Sequence, residues 1–310
     1  MASFRVLTYV KDRAPRAGLL VDDTVVDLDS ALRARARRTG KTLAFSGATV
    51  RSVIENWAKA RPMLGAIARD GAGRGVHAQP IGRTRLLAPL PEVGTIWCAG
   101  ANYYDHAAEM GTSVEKAKIK PFFFIKAGGP TVIGPGATAR LPKWSKQIDW
   151  EAEIAVVIGR AGRNIKKADA MKHVAGYTIL NDLSARDTLI REDWPFRHDW
   201  MRGKTFDTAA PMGPWITPAS EIKDPQNLKI DLWVNDRHEQ DTHSSHMVFD
   251  VREQIVALSR QITLRPGDIV STGTGAGVGR PKGRFLKPGD RVRITVEGLG
   301  TLRHRVAAGV

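Results

Sequence analysis

The chain has 310 residues, 42% hydrophobic and 25% charged, room for one large or two ordinary domains of ordinary globular composition. No run approaches the roughly 20 apolar residues of a bilayer span, the N-terminus opens on a strand pattern rather than a signal-peptide core, and the single cysteine, Cys98, excludes an internal disulfide. These features fit a cytoplasmic protein without a membrane partner. The net charge of +15 raises nucleic acid as a partner, but residues 1–88 hold 16 Lys/Arg against 7 Asp/Glu and the rest carries only +6. The densest cluster, Arg33, Arg35, Arg37, Arg38 and Lys41, lies on an expected surface helix with no zinc-finger spacing or RNA-binding aromatic motif beside it. The pattern therefore argues against nucleic acid as a partner, and the field suits a small anionic substrate better.

The first 88 residues read as a small α+β domain. A hairpin is expected from Phe4–Val10 and Leu19–Leu28, turning at Asp22-Asp23. Two Arg/Ala-rich helical stretches follow, the second with Val50, Ile54, Trp57 and Ala58 at roughly helical spacing, and Gly71–Gly75 reads as a loop. After Pro89-Leu90-Pro91 the pattern changes to short strands between Gly/Pro turns, so residues 89–310 form a second, mostly β domain. Cys98, between Ile96, Trp97, Ala99 and Gly100, reads as a small buried side chain.

In Asn102-Tyr-Tyr-Asp-His-Ala-Ala-Glu-Met-Gly111, His106 and Glu109 stand three apart, so one helical turn brings them together. A glutamate beside a histidine orients the imidazole and favours general-base work on water, and a loop-like continuation would make the segment a lid. A routine surface pair is the alternative. Asp149-Trp-Glu-Ala-Glu-Ile-Ala-Val-Val-Ile158 carries two glutamates inside a β-branched run that ends at Gly159. In a strand Glu151 and Glu153 share one face. Two carboxylates side by side in apolar surroundings call for a shared proton or a hard cation, Mg²⁺ or Mn²⁺, with Ca²⁺ as a substitute. A sheet edge with both in water is the competing reading.

Asp182 follows the strand Tyr177–Leu180 and would add a third carboxylate, unless it caps the next helix. Arg186 just beyond is placed to fork onto a substrate carboxylate. Lys204, between Gly203 and a Pro-rich loop, is positioned to stabilise an oxyanion or enolate. Leu228–Val234 alternates with period two before Asn235-Asp236. Asp250–Glu253 has the capping-box pattern ahead of a helix through Val251, Ile255, Leu258 and Ile262. Pro266-Gly-Asp268 and Pro288-Gly-Asp290 are turns that launch strands. The run Ser271–Gly279 lacks the Lys-Ser/Thr of a phosphate loop and fits close approach to a small anionic ligand. Arg291–Glu297 and Thr301–Val306 close a hairpin over Gly298-Leu-Gly300.

Six stretches in this order resemble the fumarylacetoacetate hydrolase family: Asn102–Glu109, Lys120–Lys126, Asp149–Glu153, Asn181–Asp187, Gly203–Asp207 and Thr272–Thr274. The resemblance covers about residues 95 to 306. It implies a mixed β-roll that forms a homodimer, with the first 88 residues as the small extra domain of longer members. It implies that Glu151, Glu153 and Asp182 bind one Mg²⁺ or Mn²⁺, and that His106 and Glu109 activate water on a segment that orders with ligand. By the same resemblance Lys204 stabilises the oxyanion, while Arg186, Thr274 and Lys126 contact a small anionic 2-oxo acid. The implied activity is hydrolysis of a C–C bond in an acylpyruvate or 1,3-diketo acid, in aromatic catabolism, with the departing pyruvate enolate held by the metal. Decarboxylation, isomerisation or hydration on the same site is the alternative, and a non-catalytic basic binding protein is the rival of another class. Leu189 stands where many members carry glutamine, and Gly275 where many carry proline. The first removes an amide that could bond substrate or lytic water. His198, His243 and His246 read as surface residues or as supports behind the site.

Overall fold

The computed structural model describes residues 3–71 and 75–309, an α+β fold. The expected loop at Gly71–Gly75 lies partly outside them. Its framework is two sheets packed face to face. In the larger, mixed sheet the order runs Arg5–Lys11, Ala210–Pro218, Val174–Asn181, Ala152–Ile158, Ile269–Thr274, Ile96–Gly100 and Phe122–Lys126. The smaller sheet orders Arg237–His243, Lys229–Val234, Arg291–Val296, Gly300–Ala308 and Thr138–Leu141.

The strand Ala152–Ile158 explains its own composition. Ala152, Ile154, Val156 and Ile158 pack against Ile230, Leu232, Ile294 and Leu302 of the smaller sheet. Ala155 and Val157 face the other way, onto Val53, Ile54 and Trp57 of the N-terminal helices. A strand covered on both faces has no polar face to alternate with, hence the continuous apolar run. Each fully buried Val or Ile there contributes roughly 1.5–3 kcal/mol.

The N-terminal segment is a meander rather than one hairpin. Arg5–Lys11 turns into Ala14–Val21 at Asp12 and Arg13, both with positive φ, and Thr24–Asp27 follows after Asp22-Asp23. The first turn escapes sequence reading because Asp12, a residue such turns accept, is followed by Arg13 rather than by the usual Gly. The expected helices are Leu28–Thr39, then Val50–Glu55 and Trp57–Asp70, broken at Asn56. Val6 pairs with Ile216, so the N-terminal strands extend the larger sheet. The helix Val251–Gln261 has the reciprocal cap that its sequence signals, Asp250 accepting from Glu253 N and Glu253 from Asp250 N. Among the described residues no helix is long and apolar enough to cross a membrane.

Candidate active site

Three carboxylates meet where the central strands end. Glu151 and Glu153 flank the first residue of the strand Ala152–Ile158, and register with Val174–Asn181 sets Ala152 opposite Asn181. The chain leaving Asn181 therefore delivers Asp182 beside them, its N–H donating to Glu151 O at 2.9 Å. Exposures of 5%, 1% and 0% for Glu151, Glu153 and Asp182 dispose of the sheet-edge reading. Asp182 is no helix cap either, because a short strand, Ser184–Ala185, follows it. One oxygen from each of the three lies within 4.8 Å of the others.

Buried cations face this cluster. Lys204, at the end of the helix Trp200–Lys204, donates to Glu151 Oε2 at 2.6 Å and to Asp182 Oδ2 at 2.8 Å. Burial alone would lower the Lys204 pKa, but Asp182 and Glu151 outweigh it and hold the ammonium charged. Arg186 donates Nε to Asp149 at 2.8 Å and sets Nη2 2.6 Å from Glu151 Oε1, a close ion contact without hydrogen-bond alignment. Burial would raise Glu151, yet Lys204 and Arg186 pull it down to about 2. Glu153 has no such cation. Burial, then the charges of Asp182 and Glu151, push it well above the usual carboxylate range.

Lys126 is fully buried and spends its ammonium inside the protein. It donates to Leu183 O at 3.0 Å, Ala209 O at 3.1 Å and Lys204 O, and lies 2.9 Å from Asp182 Oδ1. The structure thus places the Lys126 ammonium against Asp182 and three backbone carbonyls. Thr274 is similarly occupied, donating to Ala152 O at 3.0 Å and accepting from Gln240 Nε2 at 2.9 Å.

The glycine-rich run turns its amides onto the protein's own acids. Gly273 N donates to Glu153 Oε2 at 2.9 Å, beside Ser271 Oγ at 2.5 Å. Gly273 holds φ +90°, and an added Cβ would lie 2.9 Å from Asn102 Cβ, so a side chain fits neither the backbone nor the space. Gly277 N donates to Glu109 at 2.8 Å, and Gly279 N to Asp149 at 2.6 Å. The expected anion-approaching loop is therefore a clamp on Glu153, Glu109 and Asp149.

His106 and Glu109 sit on the helix Tyr104–Glu109, with Nδ1 2.8 Å from Oε1. A carboxylate can only accept, so the shared proton belongs to Nδ1 and leaves Nε2 with a lone pair. The segment is tied down at its N-terminal end: Asn102 bonds Phe249 O and Thr272 O, and Asp105 accepts from Thr242 and faces His246 Nδ1 at 3.0 Å. His246 thus braces the helix.

The donor set fits a divalent cation. Three carboxylates are hard ligands, their spacing suits oxygens around one ion, and buried Asp182 Oδ1 lacks an aligned donor. Glu151, Glu153 and Asp182 are the residues that would hold it.

Residues that sequence reading missed come from behind. Gln240, fully buried on the smaller sheet, accepts from Ala152 N at 2.9 Å and donates to Thr274 and to Gly275 O at 3.0 Å. Asn181 accepts from Glu151 N at 3.0 Å and places its amide nitrogen 2.9 Å from His304 Nε2. A glutamine and a histidine in ordinary alternating strands carry no signal of this role.

Residues 95–307 match the family model for the fumarylacetoacetate (FAA) hydrolase C-terminal domain. The chain belongs to the fumarylacetoacetate hydrolase family. It is 39% identical over 242 residues to the human mitochondrial oxaloacetate tautomerase FAHD2B, covering 77% of this chain and 75% of that one. It is 36% identical over 299 residues to oxaloacetate tautomerase YisK of Bacillus subtilis, covering 93% and 95%. The maleylpyruvate hydrolase of Sphingobium sp. SYK-6, solved with manganese(II) and pyruvate, superposes with TM-score 0.73 at 27% identity, over 99% of this chain and 100% of that one. The homologues thus include tautomerases and a hydrolase of small oxo acids, and the mixed β-roll expected from the sequence is the fold they share.

Proposed function

We propose that this protein is a metal-dependent keto–enol tautomerase of a small 2-oxo dicarboxylic acid of the oxaloacetate class. The observation that carries the reading is the proton-transfer dyad His106–Glu109 beside a buried acidic cluster, with the apolar Leu189 in place of an amide that could bond a lytic water. Leu189, where many members carry a glutamine whose amide could bond substrate or lytic water, is buried and packs onto Gly203, next to Lys204. The identities with the tautomerases support the same reading.

Tautomerisation moves one proton from C3 to the C2 carbonyl oxygen. His106 Nε2 takes the C3 proton, while Glu109 steadies the imidazolium through Nδ1. Negative charge develops on the C2 oxygen, and the Lys204 ammonium, fixed in its charged state, stabilises it. His106 then returns the proton to that oxygen, leaving the protein unchanged. A divalent ion held by Glu151, Glu153 and Asp182 would supply Lewis-acid polarisation of the 2-oxo acid. Arg186, tied through Nε and Nη2, keeps Nη1 for a substrate carboxylate. Lys126 and Thr274 serve this site by holding Asp182 and the Ala152 backbone rather than by touching substrate.

Hydrolysis of an acylpyruvate is the second reading, favoured by the match to the maleylpyruvate hydrolase over nearly the whole chain. The deciding experiment follows the enol ultraviolet absorbance of oxaloacetate, and pyruvate release from an acylpyruvate panel, both with Mg²⁺ or Mn²⁺. We expect accelerated tautomerisation without pyruvate release. Faster pyruvate release than tautomerisation restores the hydrolase, and neither reaction removes both.

A further inference from the structure

The solvent face of the smaller sheet carries four arginines in two directly opposed cross-strand pairs, Arg291 with Arg305 and Arg293 with Arg303. Their strand neighbours Val292, Ile294, Leu302 and Val306 point into the core, so the four stems stand together on the outside. Like charges directly opposite on a sheet destabilise it. Among the described residues none of the four forms an ion pair, and the acids around them are committed elsewhere. Glu239 meets Lys282 and Arg284, Asp231 and Asp241 meet Lys229, and Asp290 accepts from Asn235. The arginines line a groove of about 450 Å³ in which Asp236 is the sole acidic residue. Past Arg303 the surface continues into a depression bordered by Arg85 and Trp215, whose buried indole Nε1 has no partner.

We propose that this face binds a compact polyphosphate group of the pyrophosphate or triphosphate class. Guanidinium forks match phosphate oxygens, and four uncompensated ones in a groove make a site for several adjoining negative charges. An extended single strand of nucleic acid fits worse, because it needs open aromatic faces on which bases stack. Trp233, the aromatic ring beside these arginines, is covered on both sides: Arg293 lies 3.8 Å from its centroid and His238 stacks at 4.6 Å.

The test is a calorimetric titration of inorganic tripolyphosphate into the intact, metal-free protein, with circular dichroism as the folding control. Saturable binding is expected, weakened about tenfold or more in Arg293→Gln/Arg303→Gln and retained in the charge-keeping Arg291→Lys/Arg305→Lys. It is also expected to survive Glu151→Ala, which separates this face from the acidic cluster. Absence of binding, unchanged affinity in the glutamine pair, or loss in Glu151→Ala overturns the proposal. So does tighter binding of a single-stranded oligonucleotide with the same number of phosphates.

Discussion

His304 makes the fold sensitive to mild acid, by an amount that the structure sets. The side chain is 2% exposed, and burial pushes its pKa from 6.5 down to about 4. Nδ1 faces the Arg305 carbonyl at 3.2 Å, which can only accept, so that nitrogen bears the hydrogen. Nε2 then accepts from the Asn181 amide, and acid would set a new N–H against that donor. The folded state therefore prefers neutral imidazole. Below pH 6.5 the unfolded chain takes up a proton that the folded chain refuses, so stability falls as pH drops toward 4. At 1.36 kcal/mol per unit the full loss is about 3 kcal/mol, of which about 2 kcal/mol accrues between pH 7 and pH 5. Urea unfolding of the parent and of His304→Gln at both pH values isolates this contribution, because the other titrating groups are common to both. The parent should lose about 2 kcal/mol more than the variant over that interval. Equal losses in the two proteins would refute both the burial argument and the assigned tautomer.

Three further outcomes follow from the acidic cluster. Because burial and the charges of Asp182 and Glu151 favour the protonated form of Glu153, Mn²⁺ uptake should release protons, and affinity should rise with pH until Glu153 ionises unaided. Titrations in two buffers of different ionisation enthalpy read this directly, and identical heats would sink the idea. His106→Ala should take up Mn²⁺ as the parent does while turnover drops by roughly 10²–10⁴; steady-state rates close to the parent's would remove His106 as the base. Gln240→Ala should leave Ala152 N without its partner, costing about 1–3 kcal/mol in urea unfolding and weakening metal affinity as well. A stability loss with unchanged affinity would confine Gln240 to the fold.

The acidic cluster was legible because its members lie in short, unusual strings. Two glutamates within an apolar run are costly unless something answers them, and a strand places both near one point whatever the rest of the fold does. The His106–Glu109 pair was legible for the same local reason, one helical turn. Gln240 and His304 were not, since they act across the space between two sheets, from strands of the smaller sheet far in sequence from Glu151. The roles of Lys126 and Thr274 needed the structure for a different reason. A motif shows that a residue belongs near the site, but whether its polar atoms face the ligand or the protein depends on the carbonyls supplied by Leu183, Ala209 and Ala152. The turn at Asp12-Arg13 was hidden because its residues adopt a left-handed conformation without the usual composition.

The charges of the site explain why so many ionisable groups coexist without water. Asp149, Glu151, Glu153 and Asp182 carry four potential negative charges, and Lys126, Lys204 and Arg186 carry three positive ones. Left so, the cluster holds one uncompensated charge in a medium that penalises it heavily. Protonation of Glu153, the one carboxylate of the metal-binding three without a cationic contact, is favoured by burial and by Asp182 and Glu151, and such a proton would remove that excess. A divalent cation in place of that proton turns the balance to +1. On the proposed function, a buried cluster with a small positive excess would attract a dianionic oxo acid, while Lys204 and Arg186, anchored to Glu151, would not swing out to pair with it fully. Charge developing on the substrate oxygen then meets donors already in place, which is the condition under which such groups favour the transition state over the bound substrate.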